Sequence, residues 1–384
     1  MKNIKRHLVW SVLLCLLTGC SPDIREISDI ALVMISGIDY DEQKSKYIIT
    51  AYCIQATTKS TEKTGKIEWV ASASGDSIMD ATRNLRSRAG KILIGEHNKF
   101  IVIGESAARH SFYEIVDYLT RAREVRMSSY VFISEGMAAD KMMIKSESGD
   151  LMSNEFLGKI MNENVLGNTL SLKLKDIANY CTDPYRGFVT SKLGTSKPKN
   201  SAHEVLILSG GSVFNKGKLV GWLMGKDVLS LHMLTKKKES KNLEYPVTVS
   251  FKSSKVTLLL NATKKTIHSG HSNGKPMLAI DLHFRGKMVN MNRSLPVADP
   301  VTLRQLERAA AEHIEESLKE SLAYFQNELK VDVVGFSDYF SQHDPNEWKR
   351  IKNEWTNVYP SIPIKVNVDV NIFTPGMSET LGGN

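Results

Sequence analysis

The chain predicts an α+β protein of more than one domain, with mixed β-sheets and packed helices. Three observations carry that prediction. The first half alternates apolar strand-like runs with amphipathic helical stretches, in the order strand, strand, helix, strand, helix, strand. The second half combines a hairpin and three further strand-like runs with one long amphipathic helix, Val301 to Lys330. Its 384 residues exceed one ordinary domain, and a polar stretch holding Pro and Gly, 191–203, separates the halves as a candidate linker. The expected division is therefore a signal at 1–19, an N-terminal α+β part at 20–190, the linker, a C-terminal α+β domain at 204–376 and a tail at 377–384.

The N-terminus reads as an export signal. Lys2, Lys5 and Arg6 form a positive start, and Leu8 to Leu17 an apolar core. Such a run is shorter than the roughly 20 residues that cross a bilayer as a helix. It ends in Leu17-Thr18-Gly19-Cys20, which resembles the lipobox of bacterial lipoproteins. That resemblance implies a diacylglyceryl group on the Cys20 thiol, with Cys20 first in the mature chain; an added N-acyl chain stays open. Two acyl chains hold a protein stably on a membrane where one does so marginally.

Ile30 to Ile38 and Tyr47 to Gln55 are apolar runs around the polar turn Asp39 to Glu42, a hairpin pattern. Asp39-x-Asp41 lacks the glycine and distal glutamate of a calcium loop, so a solvated turn is expected. Residues 56–68 read as an exposed loop. Asp76 to Gly90 is a helix, with Ile78, Ala81 and Leu85 on one face, Asp76 as N-cap and Gly90 as stop. Phe100 to Gly104 is a buried strand, Ser106 to Ala122 a second helix and Met127 to Ser134 another strand. Helices at 153–164 and 172–180 follow, the second broken by Cys181 to Gly187.

In the second half, Val205 to Phe214 and Leu219 to Met224 flank the turn Asn215-Lys216-Gly217. A helix at 226–235 and strands at 246–251, 255–261 and 277–285 come next, with 262–275 as a polar loop. Pro300 suits the first turn of the long helix. Leu303, Leu306, Ala310, His313/Ile314, Ser317/Leu318 and Leu322 track its buried face. Segments 332–340 and 345–355 read as short helical pieces. Ile364, Val366, Val368, Val370 and Ile372 alternate with polar residues, the pattern of a half-buried strand.

Composition narrows the chemistry. The formal charge of +8 falls to +5 once Lys2, Lys5 and Arg6 leave. That mild excess suits an anionic membrane surface. Nucleic acid is not expected, because no basic block interleaved with aromatics occurs. The densest basic run, Lys236-Lys237-Lys238, reads as a solvated helix end. Beyond Cys15 in the signal and Cys20, only Cys53 and Cys181 remain, and a disulfide between them stays open. A Gly-x-Ser-x-Gly nucleophile turn is absent, and Ser209-Gly210-Gly211 reads as a strand bulge. His268, His271 and His283 read as solvated rather than metal-binding, and His313-Ile-Glu-Glu316 is not a zinc motif. No phosphate-cradling loop appears. No enzyme, metal or small-molecule cofactor is therefore expected.

Several segments together resemble the Ger(x)C family, the lipoprotein C subunits of nutrient germinant receptors in endospore-forming bacteria. They are Gly19-Cys20, Arg25-Glu26-Ile27-Ser28-Asp29 and Gly37-Ile38-Asp39 near the start. The middle adds His97-x-Lys99 to Glu105, Asp117 to Arg121 and Glu124-x-Arg126. The last part adds Asp332-Val333-Val334-Gly335-Phe336, Trp348, Trp355, Pro360 and a final strand closing at Gly376. Ser21-Pro22 stands where the family usually has Trp, a departure from its opening motif. The resemblance covers essentially the whole mature chain. It implies a three-domain α+β arrangement and no catalytic residues. It implies a place on the outer face of the spore inner membrane, where an acyl anchor of the palmitate type on Cys20 holds the protein. It also implies two integral-membrane partners, a large A-type subunit and a transporter-like B-type subunit. Arg25, Glu26, Arg121 and Arg126 are expected mainly in structural ion pairs, the last two near a helix end where cations oppose its dipole. The alternative reading is a solute-binding lipoprotein of a transport system, which would want two similar lobes around a cleft.

Overall fold

The computed structural model describes residues 29–55, 67–199, 203–235, 243–272, 274–291 and 299–373. The predicted first hairpin forms from β1 (Ile30–Asp41) and β2 (Lys46–Gln55), with Tyr40 opposite Tyr47. Its turn closes when the Asp41 carboxylate accepts from the Gln43 and Lys44 amides, each at 3.1 Å. β3 (Ile67–Gly75) then adds antiparallel to β2, so residues 67 and 68 are strand where a loop was expected. α1 (Ile78–Arg88) buries Ile78, Ala81 and Leu85 as its spacing predicts. Its N-cap is Ser77, which accepts from the Asp80 amide at 3.1 Å, one residue beyond the Asp76 expected.

β4 (Ile92–Ile94) pairs with the start of β1, and β5 (Phe100–Gly104) lies parallel to its second half. The single helix expected over 106–122 is two, α2 (Glu105–His110) and α3 (Phe112–Arg121), broken at Ser111. Ser111 leaves helical backbone, and its buried hydroxyl accepts from Tyr47 at 2.7 Å. β6 (Tyr130–Ser134) follows, then α4 (Ala138–Met142), α5 (Met152–Leu166), the short β7 (Leu172–Lys173), α6 (Leu174–Cys181) and β8 (Phe188–Ser196). β9 (Val205–Asn215) and β10 (Lys218–Leu223) complete one ten-stranded sheet in the order β10-β9-β8-β6-β5-β1-β2-β3, with β4 and β7 beside β1 and β6. The expected linker 191–203 thus begins inside a strand, and the sheet continues across it through the β8–β9 ladder. Its Ser, Thr and Gly content reads as linker, yet Ser191 and Leu193 are fully buried in the sheet.

The central strands are apolar on both faces, as parallel strands covered on both sides must be. Ile101 and Ile103 pack with Phe112, Ile115 and Leu119 on one face. Phe100 and Val102 point to the other, where Phe156 of α5 sits edge-on to Phe100 and to Phe132, each at 5.5 Å. Gly210, at φ +81°, sits in the β8–β9 register shift, which is the bulge expected there.

α7 (Gly225–Thr235) leads to the second sheet. β11 (Tyr245–Phe251), β12 (Ser254–Ser272) and β13 (Lys275–Met291) are antiparallel neighbours in order. The expected polar loop 262–275 is instead the outer arms of the β12–β13 hairpin. Those arms are half-exposed, so their polar composition hid a paired strand. α8 (Pro300–Ala323) buries Leu306, Ala310, Ile314, Leu318 and Leu322, a strict four-residue stripe. Asp299 caps it through the Val301 and Thr302 amides, and Pro300 occupies the first turn. The α-helix stops at Ala323, and a π-helical turn over Tyr324–Leu329 replaces its expected end. Buried Gln326 of that turn donates to the carbonyls of Tyr359 and Ile362, each at 2.9 Å. α9 (Phe336–His343), α10 (Pro345–Ile351) and α11 (Trp355–Val358) precede β14 (Ile364–Ile372), which lies parallel to β13. Its free side is met by α8: Glu315 accepts from the Val368 amide at 3.0 Å and Glu307 from Ile372 at 2.9 Å.

One apolar core spans the two sheets, since Val189, Val213 and Leu223 of the large sheet join Leu258, Ile280 and Leu318. At that junction Asp332 is buried and accepts from the amides of Gly335 (2.8 Å), Phe336 (3.0 Å) and Ser337 (2.7 Å). It is the anion at the start of α9, where amides lack helical partners. Gly335 has φ +91°, and a Cβ there would lie 2.7 Å from the Arg186 guanidinium carbon. Arg186 in turn pairs with Asp338. Removing the carboxylate orphans three amides, two of them buried, and hydrogen bonds to charged groups contribute about 1.5–3 kcal/mol each before relaxation. Asp332→Ala is expected to lower the free energy of urea unfolding by about 3 kcal/mol, while Asp332→Asn, which keeps one acceptor, loses less. Equal losses in both variants would show that the cap is not what the site supplies.

Candidate functional site

The residue expected to carry the lipid, Cys20, lies outside the described residues, as do Arg25, Glu26 and Lys236 to Lys238. Arg121 is exposed on the last turn of α3 and pairs with Asp117 at 2.9 Å. An exposed i,i+4 pair of this kind contributes only about 0.3–0.5 kcal/mol. Arg126 is exposed in the loop before β6.

The nucleophile and metal candidates separate from one another. Cys53 is fully buried in β2 and Cys181 ends α6; both are free thiols. Burial pushes Cys53 up to about 12 and Cys181 up to about 11, so neither is a thiolate at neutral pH. His268, His271 and His283 each face a different carboxylate, Asp281 at 3.4 Å, Glu347 at 3.3 Å and Asp369 at 3.3 Å. No group of three or more His, Cys, Asp or Glu side chains able to hold a metal occurs among the described residues. His313 lies on the exposed side of α8.

Two of the family-like segments meet inside the large sheet. Asp39 is not in a solvated turn: it is buried near the end of β1. Its Oδ1 accepts from the Ala138 amide at 2.7 Å and its Oδ2 from Ala139 at 3.0 Å, holding the start of α4. The carboxylate lies directly against Gly104, where a Cβ has no room. Gly37 likewise faces Met142, whose sulfur would stand 2.7 Å from a Cβ. Gly37-x-Asp39 and the Gly104 that ends β5 are therefore one packed unit. Sequence periodicity could not find it, because the partners are about 100 residues apart.

A well-lined concavity lies beside that unit, between α1, α3 and the sheet. It encloses about 420 Å³ and is walled by Val33, Ile49, Ile78, Leu85 and Leu119, with Arg83 and Arg123 in its lining. Its floor carries Asn98, whose Nδ2 donates to Ser36 Oγ at 2.8 Å. Such a cleft can take an apolar group; it holds no nucleophile with a base.

Burial raises the Asp39 carboxyl above its ordinary 3.8, and the two amide donors only partly oppose the shift. A raised acid binds its proton more tightly folded than unfolded, so stability falls as pH climbs from 3.8 through the raised value. Asp39→Asn does not titrate. The wild-type stability minus that of Asp39→Asn, from urea unfolding across this window, is expected to decline with rising pH; a flat difference would place the carboxyl at its ordinary value.

Comparison with known proteins gives a consistent result over both halves. Residues 23–194 match the family described as spore germination protein N-terminal domain, and residues 209–376 match spore germination B3/GerAC like, C-terminal. The putative spore germination protein YfkR of Bacillus subtilis (strain 168) is 25% identical over 391 residues, covering 98% of each chain. Spore germination protein B3 of the same organism is 23% identical, covering 98% of this chain and 99% of its own length. In fold, the chain is similar to the crystal structure of the GerBC protein, with a TM-score of 0.58 and 18% identity over 88% of this chain and 97% of that one. The two family models leave only 195–208 between them, a stretch that takes in the end of β8 and the start of β9. With the GerAC-like pattern running from before β1 to the end of β14, the chain belongs to the GerAC-like, or Ger(x)C, family of spore germination proteins.

Proposed function

We propose that this chain is a membrane-tethered, non-catalytic subunit of a nutrient germinant receptor, acting in spore germination as a scaffold for its partners. The observation that carries the reading is the family match over both halves, joined to Leu17-Thr18-Gly19-Cys20 at the start. Among the described residues no helix is long and apolar enough to cross a membrane. The anchor in this reading is diacylglyceryl on Cys20, and it holds the body on the outer face of the spore inner membrane. Its partners are an integral-membrane A-type subunit and a transporter-like B-type subunit.

Tethering makes weak contacts sufficient. Confinement to the membrane plane turns association with a membrane partner into a local event at high effective concentration, so no large interface is required. The two thiols, both raised by burial, support a non-catalytic role, because a reactive cysteine needs an accessible, lowered thiol. The solute-binding alternative wants two lobes around a cleft, whereas here one core runs through both sheets.

Cys20→Ala is expected to move most of the protein from the spore membrane fraction to the soluble fraction and to slow nutrient-triggered germination. Unchanged fractionation together with normal germination would overturn the anchored-subunit reading. Cys53→Ser with Cys181→Ser is expected to leave germination intact, and a tagged chain is expected to recover both membrane subunits from gently solubilised inner membrane.

A further inference from the structure

We propose that the end of the large sheet at which the chain enters rests on the headgroups of an anionic lipid bilayer. This rests on the Cys20 anchor proposed above. Ten steps along the chain lead from Cys20 to Ile30, the first residue of β1. Fully extended they span no more than about 36 Å, so this end of the body stays close to the lipid.

The strand directions say what else lies there. β4 and β5 run parallel to β1, and β6 parallel to β5, so the segments that lead into them gather at the end where β1 begins. Those segments, 86–99 and 121–127, carry seven arginines and lysines against two carboxylates. Their net charge of +5 matches that expected of the whole mature chain. One carboxylate, Glu124, is already answered by Arg86. Lys99, Arg123 and Arg126 are exposed and have no ion-pair partner among the described residues. Two apolar side chains project among these charges: Ile92 is 42% exposed and Met127 39%. Apolar side chains ringed by cations suit the boundary between headgroups and acyl chains.

The opposite end has the reverse sign. Segments 39–46, 76–80, 105–109 and 135–141 follow β1, β3, β5 and β6 out of the sheet, and together with Lys197, Lys199 and Glu204 between β8 and β9 they carry nine carboxylates against six cations. The body is therefore electrically polar along its strands, with the positive end beside the tether. A negative membrane attracts the near end and repels the far one, within about a Debye length of roughly 8 Å at physiological salt. The tether alone would leave orientation free; this charge separation selects one.

The test uses residues 20–384 carrying Cys20→Ser, so that no lipid contributes, and vesicles of phosphatidylcholine alone or mixed with phosphatidylglycerol. Co-sedimentation is expected with the mixed vesicles only, weakening as salt rises. The triple variant Lys99→Gln, Arg123→Gln, Arg126→Gln is expected to bind at least tenfold more weakly, since each such cation contributes about fivefold near an anionic surface. The control triple Lys44→Gln, Arg109→Gln, Lys141→Gln at the far end is expected to bind as the parent does. All six positions lie on the surface or half-exposed, and matching urea midpoints would confirm intact folding. Equal binding to both vesicles, or equal losses in the two triples, would overturn the proposal. Because this chain lacks the lipid, such a result leaves the Cys20 fractionation experiment to judge the anchor by itself.

Discussion

The antiparallel ladder between β8 and β9 fixes where the second half of the chain sits. Phe188 opposite Phe214 and Ser196 opposite Val205 bring both strands into the large sheet. Phe188 and Phe214 stack at 4.9 Å, which locks the lower part of the register on the apolar face. The bulge at Gly210 then turns β9, and Thr169 Oγ1 donates to the Gly210 carbonyl at 3.1 Å to close the gap. From there β10 delivers α7 onto α8, where the buried Ser321 hydroxyl bonds Asp227 and Ser230, each at 3.0 Å. A one-residue slip in this ladder would move every side chain of β9 to the opposite face of the sheet. The two halves are therefore placed by backbone pairing as well as by their shared core.

The same physical solution is used twice to start a helix inside the protein. A buried amide without a partner is costly, and a buried carboxylate without donors is more so. Asp39 and Asp332 set these two costs against each other. Each is buried, each accepts from successive amides at a helix start, and each sits beside a glycine that lets the backbone approach. In both, burial raises the carboxyl while the amides pull it down. These pairs give physical content to the family-like segments Gly37-Ile38-Asp39 and Asp332 to Phe336: each carries the buried carboxylate that starts a helix.

Much of the fold was legible because it rests on local periodicity. The stripe from Leu306 to Leu322, the alternation of Ile364 to Ile372 and the N-terminal hairpin all follow from spacing that one element displays by itself. What escaped depends on partners far along the chain. β8 looks polar, and only its place between β6 and β9 explains its burial. The outer arms of β12 and β13 are strands because they pair with each other, not because they are apolar. Ser111 breaks a helix that its neighbours would continue, at the point where Tyr47 reaches it from β2. The cavity between α1 and α3 left no sequence trace, because its walls are ordinary core residues that fail to meet. The Cys20 motif was legible for a different reason: the lipobox it resembles is a linear segment, and it needs no fold.

In the membrane-tethered state proposed above, the open edges of the sheets are where one copy would pair with another. An open strand edge is a template for another strand, and tethering many chains to one surface raises the hazard. Here side chains from helices occupy the edges. Arg88 Nη1 donates to the Ser72 carbonyl at 2.8 Å and Asn84 Nδ2 to Ser74 at 2.9 Å along β3, the last strand of the large sheet. Glu307 and Glu315, two turns apart on α8, do the converse for the amides of β14. Tyr324 reaches the Trp222 carbonyl of β10 at 3.2 Å. These bonds satisfy part of the backbone on three of the four sheet edges, β3, β10 and β14. On the reading proposed above, a surface built this way would select its neighbours by charge and shape, with the polarity along the strands giving that selection a direction.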